Sequence, residues 1–311
     1  MARKPRWTEA DIPSLDKKVA IVTGANSGLG LDTARALAEH GAYVVMACRN
    51  AQKAEKALES IMAKAPEAKV EIRILDLSDL ASVKEFAESF KRNFERLDLL
   101  VNNAGVMALP YTKTKDGFEM QIGVNHLGHF ALTGQLMELL DSTSRSRVVN
   151  VSSLAHQMGR INFDDLNSEK KYSKWLAYGQ SKLANLLFTL ELKNRLQTAR
   201  SKTLALACHP GYSATNLQLA ASQQKGSRVG EWLWSTVNSI AAQKSELGAL
   251  PTLYACVSTH LDSGDFVGPD GMAEMWGYPK KVKAKKHAYD KEAAARLWKV
   301  SEELTGVSYL G

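Results

Sequence analysis

The sequence predicts an α/β protein built on a doubly wound parallel sheet with helices on both faces. Three observations carry that expectation. Short apolar runs of strand length alternate with longer helical patterns between Val19 and Cys208, the order that gives parallel strands joined by right-handed crossovers. The first run empties into a glycine-rich turn that opens a helix. No internal repeat and no Pro/Ser/Gly-rich linker divides the chain, so residues 17–311 are expected to form one domain behind an N-terminal extension of residues 1–16.

In chain order, residues 19–23 form a continuous apolar run, as a strand buried on both faces requires. A helical pattern over 29–40 stops at Gly41, a C-terminal cap. A second strand over 43–47 precedes an Ala/Lys/Glu-rich helix over 52–64. A third strand over 70–75 alternates in polarity, and a helix over 80–93 begins behind Ser78 or Asp79 as cap. Strand four spans 97–101. Two helical patterns follow, over 117–124 and 126–140, then strand five over 147–151, a long helix over 175–196 and strand six over 203–208.

Of the 311 residues, 45% are hydrophobic and 23% charged, ordinary for a chain with a sizeable core and unlike disorder, collagen or coiled coil. The net charge of +7, from 40 Lys+Arg against 33 Asp+Glu, favours anionic ligands such as a phosphorylated cofactor or nucleic acid. The densest basic run, 280–286, has no interleaved aromatics and no recognition motif, so it reads as solvated surface and no nucleic-acid partner is expected. Cys48, Cys208 and Cys256 lie too far apart for a disulfide framework or a metal site and read as buried thiols. Residues 1–18 lack the apolar core of a signal peptide, and no apolar stretch reaches spanning length. A cytoplasmic protein without a membrane span is expected.

The turn after strand one contains Gly24, Asn26, Ser27, Gly28, Leu29 and Gly30. Glycines let the backbone approach a pyrophosphate, at which the new helix points its unpaired N–H groups and positive dipole end. An acid at the end of strand two would accept from both adenosine ribose hydroxyls and repel a 2′-phosphate, whereas an arginine pairs with that phosphate. Met46-Ala47-Cys48-Arg49-Asn50 has no acid and offers Arg49, so NADP(H) is expected over NAD(H) unless Arg49 only faces solvent.

Carbonyl reduction needs a proton donor at oxygen while hydride reaches carbon. Tyr178 and Lys182, four residues apart on a helix, share one face. A neighbouring cation favours the phenolate and is expected to draw the phenol toward working pH, where it can give or take a proton. Strand five runs into Ser152 and Ser153, whose hydroxyls can polarise a carbonyl at the same sheet edge.

The spacing of Thr23, Gly24, Gly28 and Gly30, with Asn102-Asn103-Ala104-Gly105 after strand four and the Tyr178/Lys182 pair, resembles the short-chain dehydrogenase/reductase family. The resemblance implies a Rossmann-like fold and an oxidoreductase interconverting a carbonyl and an alcohol on a small molecule. It implies a proton relay at Asn125, a substrate-oxygen hydrogen bond from Ser153 rather than Ser152, acid/base work at Tyr178, and electrostatic and ribose contacts from Lys182. It places adenine near Asp76 and Leu77, although Asp76 could instead cap the next helix. It also sets Asn103, Ala104 and Gly105 beside the cofactor, and Pro210, Gly211 and Thr215 at the nicotinamide carboxamide. Residues 159–166, 172–178 and 181–189 resemble the retinol dehydrogenase-like branch, which also holds the WW-domain oxidoreductase and, more distantly, light-dependent protochlorophyllide reductase. Gly268-Pro269-Asp270-Gly271, Trp276-Gly277-Tyr278-Pro279 and Leu297-Trp298 resemble bacterial members of that branch.

Membrane-bound members of the branch carry an apolar N-terminal anchor that this sequence lacks, so a soluble reductase of a lipophilic carbonyl is expected. The alternatives are a non-catalytic NADP-binding sensor or scaffold on the same fold, and protochlorophyllide reductase-like reduction of a C=C bond. Substrate contacts are expected near 107–115, 154–177 and 217–244, the last holding Trp232, Leu233 and Trp234. Family analogy adds a homodimer or homotetramer formed through the helix carrying Tyr178 and the helix before strand five.

Overall fold

The computed structural model describes residues 6–212 and 245–311; Thr215 and the whole 217–244 segment lie outside them. Among the described residues one sheet contains β1 (Val19–Thr23), β2 (Tyr43–Cys48), β3 (Val70–Ile74), β4 (Leu99–Asn102), β5 (Arg147–Val151), β6 (Leu204–Cys208), β7 (Phe266–Pro269) and β8 (Pro279–Val282). Their order is β3-β2-β1-β4-β5-β6-β7-β8. Every neighbouring pair is parallel except β7 and β8, which are antiparallel. Chain direction along the sheet reverses between β1 and β4, so the crevice at the carboxyl ends of those two strands is the place where an open α/β sheet takes its ligand.

Helices α1 (Gly28–Glu39), α2 (Ala51–Lys64), α3 (Leu80–Asn93), α4 (Met120–Ile122), α5 (Gly128–Gln135), α6 (Met137–Ser142), α7 (Lys174–Thr198), α8 (Ser245–Val257) and α9 (Lys291–Thr305) cover the sheet. The two-residue period of a strand divides β1 between two cores. Ala20 and Val22 join α1, α2 and α8 on one face, while Val19 and Ile21 join α3, α5 and α7 on the other. That is why 19–23 is apolar throughout. Gly41 ends α1 with φ +97°, and the cap of α3 is Asp79, whose Oδ1 accepts from Ala81 N at 3.0 Å and Ser82 N at 3.4 Å.

The expected helix over 117–124 is corrected. Lys113 and Glu119 pair as an antiparallel bridge around Gly117 at φ +89°, so 117–119 closes a turn and helix begins only at Met120. From Gly123 to Leu127 the winding is π, with Gly128 N bonded to Gly123 O, an insertion of the kind that gathers at functional sites.

Beyond Cys208 the structure adds α8, β7, β8 and α9, which the apolar patterning did not disclose. The basic run begins as β8, the sheet's edge strand, with Lys280 and Lys281 exposed and Val282 buried; such lysines discourage edge-to-edge pairing. Helix α9 and the tail behind it lie on α5 and α7. Trp298, 2% exposed, has its ring 5.0 Å from that of Phe130, 5.8 Å from Phe188 and 4.7 Å from Tyr309. A Cβ at Gly134 would run into the Tyr309 ring.

Trp298→Ala is therefore expected to cost about 3–5 kcal/mol of unfolding free energy in urea. Trp298→Phe should lose much less, because it keeps the ring contacts and removes an indole N–H that has no partner.

Candidate active site

At the switch point the β1 and β4 ends are bound together through Thr23, which is fully buried. Its Oγ1 accepts the N–H groups of Asn103 and Ala104, each at 2.9 Å, and meets His129 Nε2 at 2.9 Å. Asn103 Nδ2 donates to the Thr23 carbonyl at 2.8 Å. The glycine turn then packs against this joint. Gly24 stands at φ +66°, and a Cβ there would lie 3.0 Å from Ala104 Cα; one at Gly30 would overlap the Gly24 carbonyl.

These contacts explain the glycine spacing and also test a dinucleotide. The Ser27 side chain makes no capping bond to α1, so the first-turn amides at Gly28, Leu29 and Gly30 present uncapped N–H groups at a glycine-lined surface. That fits a pyrophosphate. Asn26 sits in the same turn.

At the end of β2, Arg49 is exposed and Asn50 is occupied in capping α2, its Oδ1 2.9 Å from Lys53 N. The Arg49 guanidinium makes no ion pair among the described residues. Asp76 Oδ1 accepts from Ser78 N at 2.9 Å and Ser78 Oγ at 2.6 Å, a turn that leads into α3 without capping it. The Leu77 carbonyl lies where a Cβ at Gly128 would be, 2.5 Å away.

The π-wound segment aims Asn125 across the crevice. Both hydrogens of its amide are taken: Nδ2 donates to Val106 O at 2.9 Å and Ser181 Oγ at 2.8 Å, while Oδ1 accepts from Val106 N at 2.8 Å. A Cβ at Gly105 would lie 3.1 Å from Asn125 Oδ1 and 3.4 Å from Lys182 Nζ, so the β4 loop passes between the two. Lys182 Nζ donates to Val151 O at 3.0 Å and sits 5.9 Å from the centroid of the Tyr178 ring. The Ser153 hydroxyl stands close enough to the Tyr178 phenol to favour its ionised form. Ser152 Oγ instead donates to the Lys182 carbonyl at 2.8 Å and ties β5 to α7. The structure thus brings Asn125, Ser153, Tyr178 and Lys182 to one edge.

The expected fall of the phenol toward working pH is not found. Burial raises Tyr178, and the neighbouring Ser153 hydroxyl offsets only part of that rise. The physical reason is desolvation of the buried phenolate, which outweighs what its neighbours give back. Burial also lowers Lys182 from 10.5 to about 8.

Sequence reasoning missed Asn185, whose Nδ2 shares Val151 O with Lys182 at 3.1 Å. Positions 178, 182, 185 and 189 follow the helical period as a polar stripe on an otherwise buried helix, and that stripe is the legible sign. The 154–177 segment is held on α7 through Gln180, which accepts from Asn162 N at 2.9 Å and donates to Leu166 O at 3.0 Å. Tyr172 joins it to the 107–115 segment by donating to Leu109 O at 2.7 Å. Behind β6, Gly211 holds φ +69°. No helix among the described residues is long and apolar enough to cross a membrane.

The buried ammonium makes a test of stability against pH. Below about pH 8 the folded and unfolded chains both carry the proton and the native state bears the full desolvation cost; between 8 and 10.5 the unfolded chain binds more protons, so this contribution to stability rises with pH. Without added dinucleotide, Lys182→Met should be more stable than the parent at pH 7, by on the order of 3 kcal/mol. The gap should close as pH rises through that window, and urea titrations at several pH values measure it.

A family model for short chain dehydrogenases matches residues 18–226. The chain is 42% identical to mouse retinol dehydrogenase 12, with 97% of this chain and 90% of that protein covered. It is also 42% identical to human retinol dehydrogenase 13, over 96% of this chain and 87% of the relative. A crystal structure of a Mycobacterium paratuberculosis protein is similar with TM-score 0.81 and 46% identity, covering 98% of this chain and 99% of the other. The chain belongs to the short-chain dehydrogenase/reductase family of nicotinamide-dependent oxidoreductases and is a retinol dehydrogenase-like member of it.

Proposed function

We propose that this oxidoreductase is an NADP(H)-dependent reductase of a lipophilic aldehyde or ketone, working as one catalytic domain over residues 17–311. The observation that carries the reading is the gathering of the Ser153 hydroxyl, the Tyr178 phenol and the buried Lys182 ammonium, whose Nζ lies 5.9 Å from the centroid of the phenol ring.

The turn of Gly24, Asn26, Ser27, Gly28, Leu29 and Gly30 receives the pyrophosphate, Arg49 the 2′-phosphate, and Asp76 and Leu77 the adenine. Asn103, Ala104 and Gly105 line the dinucleotide, while Pro210, Gly211 and Thr215 hold the carboxamide. A bound nicotinamide supplies the hydride that reaches the carbonyl carbon. Ser153 hydrogen-bonds the carbonyl oxygen and Tyr178 delivers a proton to it as it becomes a hydroxyl. A phenol raised by burial is held in its protonated form, which suits the reductive direction. Lys182 stabilises the phenolate left behind and contacts the ribose. Because both Asn125 amide hydrogens are taken, a relay water there would donate to an Asn125 oxygen, the side-chain Oδ1 or the backbone carbonyl that His129 Nδ1 meets at 3.1 Å.

Apolar side chains support a lipophilic substrate. Met158, Trp175 and Leu176 are 50%, 47% and 57% exposed, and the Trp175 ring stands edge-on to Tyr178 with centroids 6.4 Å apart. Solvent-facing residues of this kind beside a proton donor suit an apolar ligand body. The similarity to retinol dehydrogenases points the same way.

Tyr178→Phe should lower turnover of an aldehyde panel by at least about a hundredfold, followed by NADPH absorbance, while NADPH still binds by fluorescence. Parental rates in that variant would end the acid/base assignment. Arg49→Asp should shift preference from NADPH toward NADH in kcat/KM, and an unchanged ratio would place the 2′-phosphate elsewhere.

A further inference from the structure

The loop behind β7 grips the turn behind β6. His209 is fully buried. Its N–H donates to Val267 O at 2.9 Å, and its ring lies 5.1 Å from that of Phe266. A Cβ at Gly268 would overlap His209 Nε2, so the ring fills the space that glycine leaves. Nε2 is 3.0 Å from Glu274 Oε2, and Gly211 N donates to Nδ1 at 3.2 Å.

Those two contacts settle the proton. A backbone N–H can only donate, so Nδ1 is bare; an ionised carboxylate can only accept, so Nε2 carries the hydrogen. The His209 bond also holds the Glu274 carboxyl below its usual range. The same loop grips the turn twice more, as Tyr212 N donates to Met275 O at 2.7 Å and a Cβ at Gly211 would overlap that carbonyl. Ala273 and Glu274 both stand in the left-handed region, at φ 51° and 57°. Two successive residues with side chains persist there only where surrounding contacts dictate it.

We infer that Glu274 is a positioning residue for the dinucleotide: by keeping the His209 proton on Nε2 it frees Nδ1 to accept the Gly211 N–H, and so sets the Pro210–Gly211 turn. The inference rests on the proposed place of that turn at the nicotinamide carboxamide. Glu274 itself touches neither cofactor nor substrate in this scheme. A side chain more than sixty positions downstream thereby determines the shape of a cofactor loop.

Long-range proton–nitrogen spectra of histidine-labelled protein read the tautomer directly. Wild type should show His209 protonated on Nε2 alone, Glu274→Gln should keep that pattern through its amide oxygen, and Glu274→Ala should mix the two forms. NADPH affinity should fall on the order of tenfold in Glu274→Ala, as loss of a charge-assisted hydrogen bond implies. In Glu274→Gln it should stay within about twofold, since an acceptor remains. A proton on Nδ1 in wild type, or a Glu274→Ala protein with unchanged tautomer and unchanged NADPH affinity, overturns the inference. The wild-type spectrum needs no variant to fold. Failure of wild type to bind any dinucleotide would instead strike the proposed function, leaving the spectra to judge the link from Glu274 to Gly211.

Discussion

The reactive edge of this sheet depends on the hydroxyl of Thr23. Two strands that run in the same direction leave their carboxyl-end loops with unpaired amides, and a buried amide without a partner costs about 1–3 kcal/mol. Thr23 Oγ1 takes two of those amides from the β4 loop and sits against His129 as well. Burial lowers His129 to about 4, so its ring is neutral and holds its Nδ1 proton on the Asn125 carbonyl. One oxygen therefore fixes the β4 loop and, through the histidine, the π-wound segment. The glycine turn packs against that joint, and its freedom to approach follows from what the joint leaves empty.

A second constraint is electrostatic. Tyr178 and Lys182 are both buried, and burial drives both toward their neutral forms, the phenol up and the ammonium down. Their surroundings answer with dipoles rather than counter-charges. Val151 O faces the ammonium, shared with the Asn185 amide, and among the described residues no carboxylate shifts the lysine. An acid there would restore the ammonium, but it would also make a phenolate harder to form. A site meant to part a phenol from its proton is better served by a carbonyl dipole.

The first two-thirds of the fold could be read because each strand there is short, apolar and followed by a helix, and because the site motifs sit at strand ends where topology must gather them. Ser153 was separable from Ser152 only by resemblance. The structure supplies the physics: Ser152 spends its hydroxyl on the Lys182 carbonyl, while Ser153 faces the phenol. The phenol's direction of shift is not legible in the sequence, because helical spacing tells which side chains share a face but not how deeply they are buried. Four residues of separation put Nζ 5.9 Å from the ring centroid, in surroundings whose burial outweighs the cation's pull on the phenol. The turn at 117–119 reads as helix in the sequence because Phe118 and Ile122, four residues apart, fit an apolar helical period, whereas the backbone sign at Gly117 cannot be seen in that pattern.

The C-terminal region was hard to read for a related reason: its work is done by contacts made far away in sequence. β7 and β8 are only four residues each and have meaning as strands only beside β6. Helix α9 shows its purpose in what it covers. Phe130 on α5 and Phe188 on α7 pack against Trp298 and Tyr309, and Arg195 on α7 donates to the Leu310 carbonyl at 3.1 Å while lying over the Trp298 ring. An assembly formed on this face through Phe130 and Phe188 would have to displace aromatic side chains that are already buried, at a cost of the order of a core deletion. The C-terminal helix and tail thus give α5 and α7, the latter bearing Tyr178 and Lys182, apolar cover from within the chain.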